Sequence, residues 1–257
     1  MSARIATLMF HALATETQAQ SAQTTAEAFY SLPVDRFRAC LQRMEDQRLP
    51  ALTTRELGQA EAGVAITFDD GWETDYTVAL PELLSRRMRA ISFVITDWIG
   101  KRGFMSAAQL RDMARQGMEV QVHGKTHRFL SDLPETELRL ELSAAKARLE
   151  DVLGQEVTAL SYPGGRGGSR ERLIAGELGY RYFFSSRPGW YRGAGAEIPR
   201  MVVHPGTSIA DIEHYLAGRM GPVFRQSARY YLGRTLRKVL GAERYNRLKS
   251  SGQRGGE

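Results

Sequence analysis

The stretch GVAITFDDGWETDY, residues 63–76, decides the reading. An apolar run stops abruptly at Asp69, Asp70 and Gly71. Successive side chains of a strand point to opposite faces, so these neighbouring carboxylates meet different surroundings, and Gly71 lets the chain turn at once. Adjacent carboxylates repel, and a buried one is costly unless something neutralises it. Two readings fit the stretch taken alone. One is a turn and N-cap pair ahead of a helix beginning in WETDYTVALPELL. The other divides labour between the two acids, one bound to a metal and one left free as a base.

Outward from this point, short β-rich runs alternate with longer helical patterns. The runs are IATLMF (5–10), GVAITF (63–68), AISFVIT (90–96), MEVQV (118–122), ALSY (159–162), RYFFS (181–185) and MVVH (201–204). Gly117, Gly154 and Gly179 each follow a helical stretch, as expected of helix-to-strand turns, and Ser106 stands where a cap is needed. Such alternation implies parallel pairing, in a doubly wound sheet or a (β/α) barrel. A barrel gathers its site at the C-terminal ends of its strands. Asp69 and Asp70 end the second run, His123 the fourth, Tyr162 and Pro163 the fifth, and His204 the last, as the barrel requires.

The segment VHGKTH (122–127) places His123 and His127 four apart just beyond a strand. If the chain turned into a helix there, both imidazoles would share a face. Two His and one Asp make a facial set for a divalent ion with open positions.

TFDDG, then HGKTH, then SYPGG, in this order and spacing, resemble the polysaccharide deacetylases with a NodB homology domain, carbohydrate esterase family 4, over roughly residues 62–210. The resemblance implies an α/β fold, a distorted (β/α) barrel of the NodB-homology type, here followed by a basic helical tail. It implies removal of N-acetyl groups from amino sugars with one divalent metal ion, Zn²⁺ first and Co²⁺ or Ni²⁺ as alternatives. Carried over by position, Asp69 is the general base, and Asp70, His123 and His127 bind the metal. Gly164, where the family often has Tyr, offers its backbone N–H to the oxyanion. Tyr162, Pro163, Arg166 and Trp190 would contact substrate, Trp190 as an aromatic wall; Trp72 fits a sugar face or the core equally.

Two positions depart from the family. Ser161 stands where an arginine often orients the base, leaving Arg166 or another group to do so. Met201 replaces leucine ahead of His204, so His204 reads as either the general acid or a structural histidine. The fourth, acid-bearing motif is not recognisable.

The net charge of +6 is uneven: from Arg219 onward ten Lys or Arg face two acids, and the remainder is near neutral. A body that gripped nucleic acid would not look like this. The expected division is a barrel over 1–218, a basic amphipathic helical extension over 219–250 and a disordered tail over 251–257. Residues 226–249 carry leucines at four-residue spacing among arginines. They suit packing on the barrel, a homodimer contact or an anionic membrane. The single cysteine, Cys40, fits a buried position in a helix. Residues 5–10 read as a first strand rather than an export signal, which points to the cytoplasm, at the inner face of the membrane.

The leading expectation is deacetylation of an N-acetylhexosamine glycan, an exopolysaccharide or its lipid-linked precursor. Alternatives are a peptidoglycan or chitooligosaccharide deacetylase or an O-acetyl esterase. From a different class comes a catalytically weak glycan- or membrane-binding scaffold, favoured by the departures at Ser161 and in the fourth motif.

Overall fold

A computed structural model describes residues 4–14, 31–193 and 197–240, leaving aside the side chains of 229 and 233–240. The elements in chain order are β1 (Arg4–Phe10), β2 (Leu13–Ala14), β3 (Leu32–Pro33), α1 (Val34–Asp46), α2 (Thr54–Leu57) and β4 (Ala62–Asp70). A π turn over Asp75–Ala79 runs into α3 (Leu80–Ser85), followed by β5 (Ile91–Val94), α4 (Ala107–Arg115), β6 (Glu119–Val122), α5 (Glu135–Leu153) and β7 (Ala159–Ser161). Then come α6 (Ser169–Glu177), β8 (Tyr182–Phe184), β9 (Glu197–Ile198), β10 (Met201–Val202), α7 (Ile209–Leu216) and α8 (Met220–Leu240).

Eight strands form one sheet in the order β10-β1-β4-β5-β6-β7-β8-β9, every pair parallel. The sheet must curl. Its two edges are β9 and β10, and Ile198 and Met201 lie three residues apart, a reach of at most about 11 Å. That is roughly two strand spacings, so the ends nearly meet. A two-way backbone bridge between Ile5 and Tyr191, both bonds 3.0 Å, helps close the gap.

The alternation of β4 sorts its residues onto two faces. Val64, Ile66 and Phe68 join the outer core beneath the helices. Ala65 joins the inner cluster with Ile5, Ile91, Phe93, Ala159 and Phe184. Asp69 continues the inward series, as the period of two requires, while Asp70 leaves the strand in left-handed backbone at φ +80. Ser106 caps α4 by accepting the Gln109 N–H at 3.3 Å, and Gly154 ends α5 at φ +67. Cys40 is buried within α1.

The start of α8 packs on the barrel: Val223 is buried, and the Gln226 side chain bonds the backbone N–H and C=O of Val202 at 3.2 and 2.8 Å. The expected extension therefore begins as part of the body. The rest of that expectation, and the tail over 251–257, lies outside the described residues after 240.

Candidate active site at the strand ends

Asp69 is 3% exposed. The Arg200 guanidinium, fully buried, grips it in a fork: Nη1 donates to Oδ1 at 2.7 Å and Nη2 to Oδ2 at 2.8 Å. Arg200 is itself fixed by Nε to the Ser185 carbonyl (3.0 Å), Nη1 to Thr67 Oγ1 (3.2 Å) and Nη2 to Ser161 Oγ (2.7 Å). The Ser161 hydroxyl then donates to Asp69 Oδ2 at 3.2 Å. Burial alone would raise the Asp69 carboxyl, but the Arg200 charge beside it holds it well below the usual carboxylate range. Such planar bidentate pairing fixes direction as well as charge.

This answers the question raised by Ser161. The Asp69 carboxylate is oriented by an arginine from the short β9–β10 link, 131 residues away in the chain. Arg166 has other partners: its guanidinium stacks 3.7 Å from the Phe129 ring and Nη1 lies 3.4 Å from Asp132 Oδ2.

His123 is buried at the end of β6. Its Nδ1–H donates to the Ser161 carbonyl at 2.9 Å, which fixes the tautomer and leaves the Nε2 lone pair free. That nitrogen lies 3.5 Å from Asp70 Oδ1 and 3.9 Å from Asp69 Oδ2. Burial lowers the His123 pKa despite the opposing pull of Asp69 and Asp70, so the ring stays neutral, as a ligand must. His127 Nε2 also lies 3.5 Å from Asp70 Oδ1. The segment between the two histidines is an irregular loop, not the helix that would have put both on one face. His127 reaches Asp70 because its backbone adopts φ +67.

Asp70 also has positive φ, +80. Its Oδ2 accepts from Trp72 Nε1 at 3.3 Å, while Oδ1 is buried without a hydrogen-bond partner. One orphaned carboxylate oxygen thus faces two imidazole nitrogens, with all three ligand atoms within 4.8 Å of one another. Ligand atoms about 2.1 Å from a tetrahedral ion stand about 3.4 Å apart. The donor set and its spacing fit a divalent cation.

Other expected residues fall elsewhere. Tyr162 is 1% exposed, stacked with Phe183 inside the core, so it cannot line an open substrate surface. Trp190 is no aromatic wall: it is buried, stacked on Tyr215, with Nε1 donating to the Tyr215 carbonyl at 3.0 Å. Pro163 is buried in the turn that carries Gly164. Gly164 stands at φ +60, and a Cβ there would meet the Phe129 ring at 2.5 Å, so this chain's turn has no room for the family's tyrosine. The His204 Nδ1 accepts the Gly206 N–H at 3.0 Å.

The half-exposed aromatic surface comes from a different place. Trp72 packs on Phe104 (4.6 Å between ring centres), Phe104 on Trp98 (4.7 Å), and Trp98 on His127 (5.5 Å). Of the three ring residues Trp72, Phe104 and Trp98, only Trp72 was singled out in the sequence.

His11 is a further residue that the sequence reading passed over, as it did Arg200, Phe104 and Trp98. It follows Phe10, the register partner of Phe68, and so stands beside the Asp pair at the end of β1. Burial lowers its pKa, and the charges of Asp70, Asp69, Arg200 and His127 all act on it. The signal was its place after a strand, the criterion already used for His123.

A nearly closed parallel sheet with an Asp–His–His cluster and a buried carboxylate at its C-terminal rim is a (β/α) barrel with a candidate metal site. Residues 58–183 match the family model for polysaccharide deacetylase, and the chain carries a domain of that family. A Bacillus subtilis protein, "Putative polysaccharide deacetylase YxkH", is 28% identical over 166 residues, covering 62% of this chain and 60% of its own length. The chain thus spans about 60% of that curated relative. The structure described as "Streptococcus pyogenes deacetylase PplD in complex with acetate" is 26% identical, with TM-score 0.73, over 82% of this chain and 96% of that one. IcaB from Ammonifex degensii shares the fold at 22% identity, TM-score 0.72, over 84% and 98% of the two chains. The fold is the NodB-type barrel expected from the sequence.

Proposed function

We propose that the protein hydrolyses the N-acetyl groups of N-acetylhexosamine residues in a glycan. The observation that carries this reading is a buried, arginine-held carboxylate, Asp69, beside three convergent metal-type ligands. A purely binding protein has no need of a free base there. With the base-orienting arginine supplied by Arg200, the departure at Ser161 no longer favours a scaffold. The acetate bound to the Streptococcus pyogenes deacetylase is the product this reaction would release.

A divalent ion held by Asp70, His123 and His127, zinc by preference, would polarise the acetyl carbonyl and lower the pKa of the attacking water. Asp69 takes the proton from that water, its lone pairs aimed by Arg200 and Ser161. The Gly164 N–H is the donor to the developing oxyanion. The C–N bond breaks as an acid protonates the leaving amine, giving acetate and the free amino sugar. His204 is the acid by the family's pattern; burial lowers the His11 pKa, which disfavours the protonated form that a proton donor needs. Trp72, Phe104 and Trp98 offer aromatic faces for the pyranose.

The glycan is proposed to be an exopolysaccharide or its lipid-linked precursor, met at an anionic membrane surface from the cytoplasmic side. The support is α8. Among its described residues Met220, Phe224, Tyr231 and Leu232 are 63%, 73%, 50% and 61% exposed, and from residue 219 to 240 every charged residue is basic. No described helix is long and apolar enough to cross a membrane.

The test is acetate release from a panel of N-acetylated and O-acetylated glycans. Chelator should abolish release and added Zn²⁺ or Co²⁺ restore it. Asp69→Asn should bind metal normally while kcat falls by about 10²-fold or more; full activity in that variant would sink the base assignment. His204→Gln should cost far more turnover than His11→Gln, and the reverse order would give the acid to His11.

A further inference from the structure

The loop bearing His127 lacks regular structure, yet Gly124 stands at φ +81 and His127 at φ +67. Left-handed backbone at a residue other than glycine costs about 1–2 kcal/mol, so the surroundings must impose it. The loop is bonded from two sides. On one, the carbonyls of Gly124 and Lys125 accept the N–H groups of Thr96 and Asp97 at 3.2 and 3.0 Å, and Lys125 Nζ reaches Asp97 Oδ2 at 2.7 Å.

On the other side stands Glu141 of α5, 6% exposed. Its Oε1 accepts the N–H of Lys125 at 2.8 Å and of Thr126 at 2.7 Å, and its Oε2 accepts the Thr126 hydroxyl at 2.9 Å. Its buried neighbours on α5 are Leu138, Leu142, Ala145 and Leu149, a stripe that packing alone would complete with another apolar residue. Burying a carboxyl is costly unless donors meet it. Here the donors come from Lys125 and Thr126, two of the three residues between the histidines. A Cβ on Gly124 would come within 3.2 Å of Oε1, so the approach is close.

We infer that Glu141 is a positioning residue that clamps the 123–127 loop through its two central amides, holding His127 in the strained conformation that brings Nε2 to Asp70. This rests on the metal reading of Asp70, His123 and His127. The clamp preorganises the third ligand, so its contribution belongs in metal affinity rather than in global stability alone.

Zinc affinity, by competition with a chromophoric chelator, and the visible spectrum of the Co²⁺ form should be measured for Glu141→Ala, Glu141→Asp, Glu141→Gln and Leu149→Ala. Loss of an outer partner of a metal ligand costs about 10–100-fold in affinity, and that is expected for Glu141→Ala with an altered Co²⁺ spectrum. Glu141→Asp keeps the acid but withdraws it from the loop and should behave likewise, which covers a Glu141→Ala variant that fails to fold. Glu141→Gln retains an acceptor for both amides and should bind nearly as wild type. Leu149→Ala, on the same helix, should lower Tm with affinity unchanged. Wild-type affinity in Glu141→Ala or Glu141→Asp overturns the proposal. Amide exchange at Lys125 and Thr126 reads the clamp without metal: slow in wild type and fast in Glu141→Ala, with no difference again overturning it. Wild-type protein that binds no zinc would instead overturn the metal reading and leave the exchange result standing.

Discussion

Asp69 shows two opposing electrostatic effects in one side chain. Removal from water disfavours its charge, and the forked Arg200 restores it, with the second effect prevailing. A carboxyl whose folded pKa is depressed adds stability that is full above its unfolded pKa of about 3.9 and is lost as pH falls toward the folded value. Arg200→Met leaves that carboxylate buried and unpaired, which costs about 3–5 kcal/mol. A denaturant titration at pH 7 should show a loss of that size, with less difference between the proteins below pH 4, where Asp69 of the variant is protonated. Arg200→Lys keeps the charge but not the fork. Its acid limb in the pH–rate profile should lie above that of wild type, because the base is held less firmly in its charged form. An unmoved limb would show that Arg200 does not set the protonation of Asp69.

Among the elements, the short connections rather than the long helices carry the chemistry. The sequence pattern of 122–127 suggests a turn into helix, but the chain forms a loop whose amides are taken by Glu141 and whose carbonyls are taken by Thr96 and Asp97. Once those groups were satisfied from outside, helical bonds were not needed. The Pro163–Gly165 turn is equally specific. Gly164→Ala would force a Cβ into left-handed backbone and against Phe129, at about 1–2 kcal/mol for the backbone alone. Tm should fall by about 2–4 °C per kcal/mol in a domain of this size. Adding Phe129→Ala should recover part of the steric cost but none of the backbone cost; full additivity of the two losses would mean that the ring is not what excludes the Cβ.

For the whole molecule, the two edges of the sheet are joined by two residues of chain, Pro199 and Arg200. Closing the barrel therefore delivers the arginine to Asp69. The same closure explains why β9 escaped the sequence reading: a two-residue strand has too few side chains to display a period. At the outer surface, α8 presents Phe224 and Leu232 amid positive charge. Burial of one such side chain is worth about 1.5–3 kcal/mol, close to tenfold or more in partitioning. Phe224→Ser with Leu232→Ser should therefore abolish co-sedimentation with anionic vesicles, while wild type pellets with anionic but not neutral vesicles and less so at high salt. Equal pelleting of both proteins would remove the membrane proposal.

The sequence by itself determined the parallel sheet and the place of Asp69, Asp70 and His123 at its strand ends, while the barrel and the Asp70, His123 and His127 set followed from the family resemblance. Strand ends in such a fold share one rim, so local position along the chain suffices to bring the first three together; His127 needs the loop conformation that Glu141 and its neighbours hold. Only the tertiary structure decided what holds Asp69, which aromatic rings border the site and which residues are buried away from it. Arg200 and Asp69 lie 131 residues apart, Glu141 lies on a helix with no pattern of its own to mark it, and Trp190 reads like a surface aromatic until Tyr215 covers it. Those contacts depend on how the closed sheet brings distant segments into one interior, which no local pattern of residues encodes.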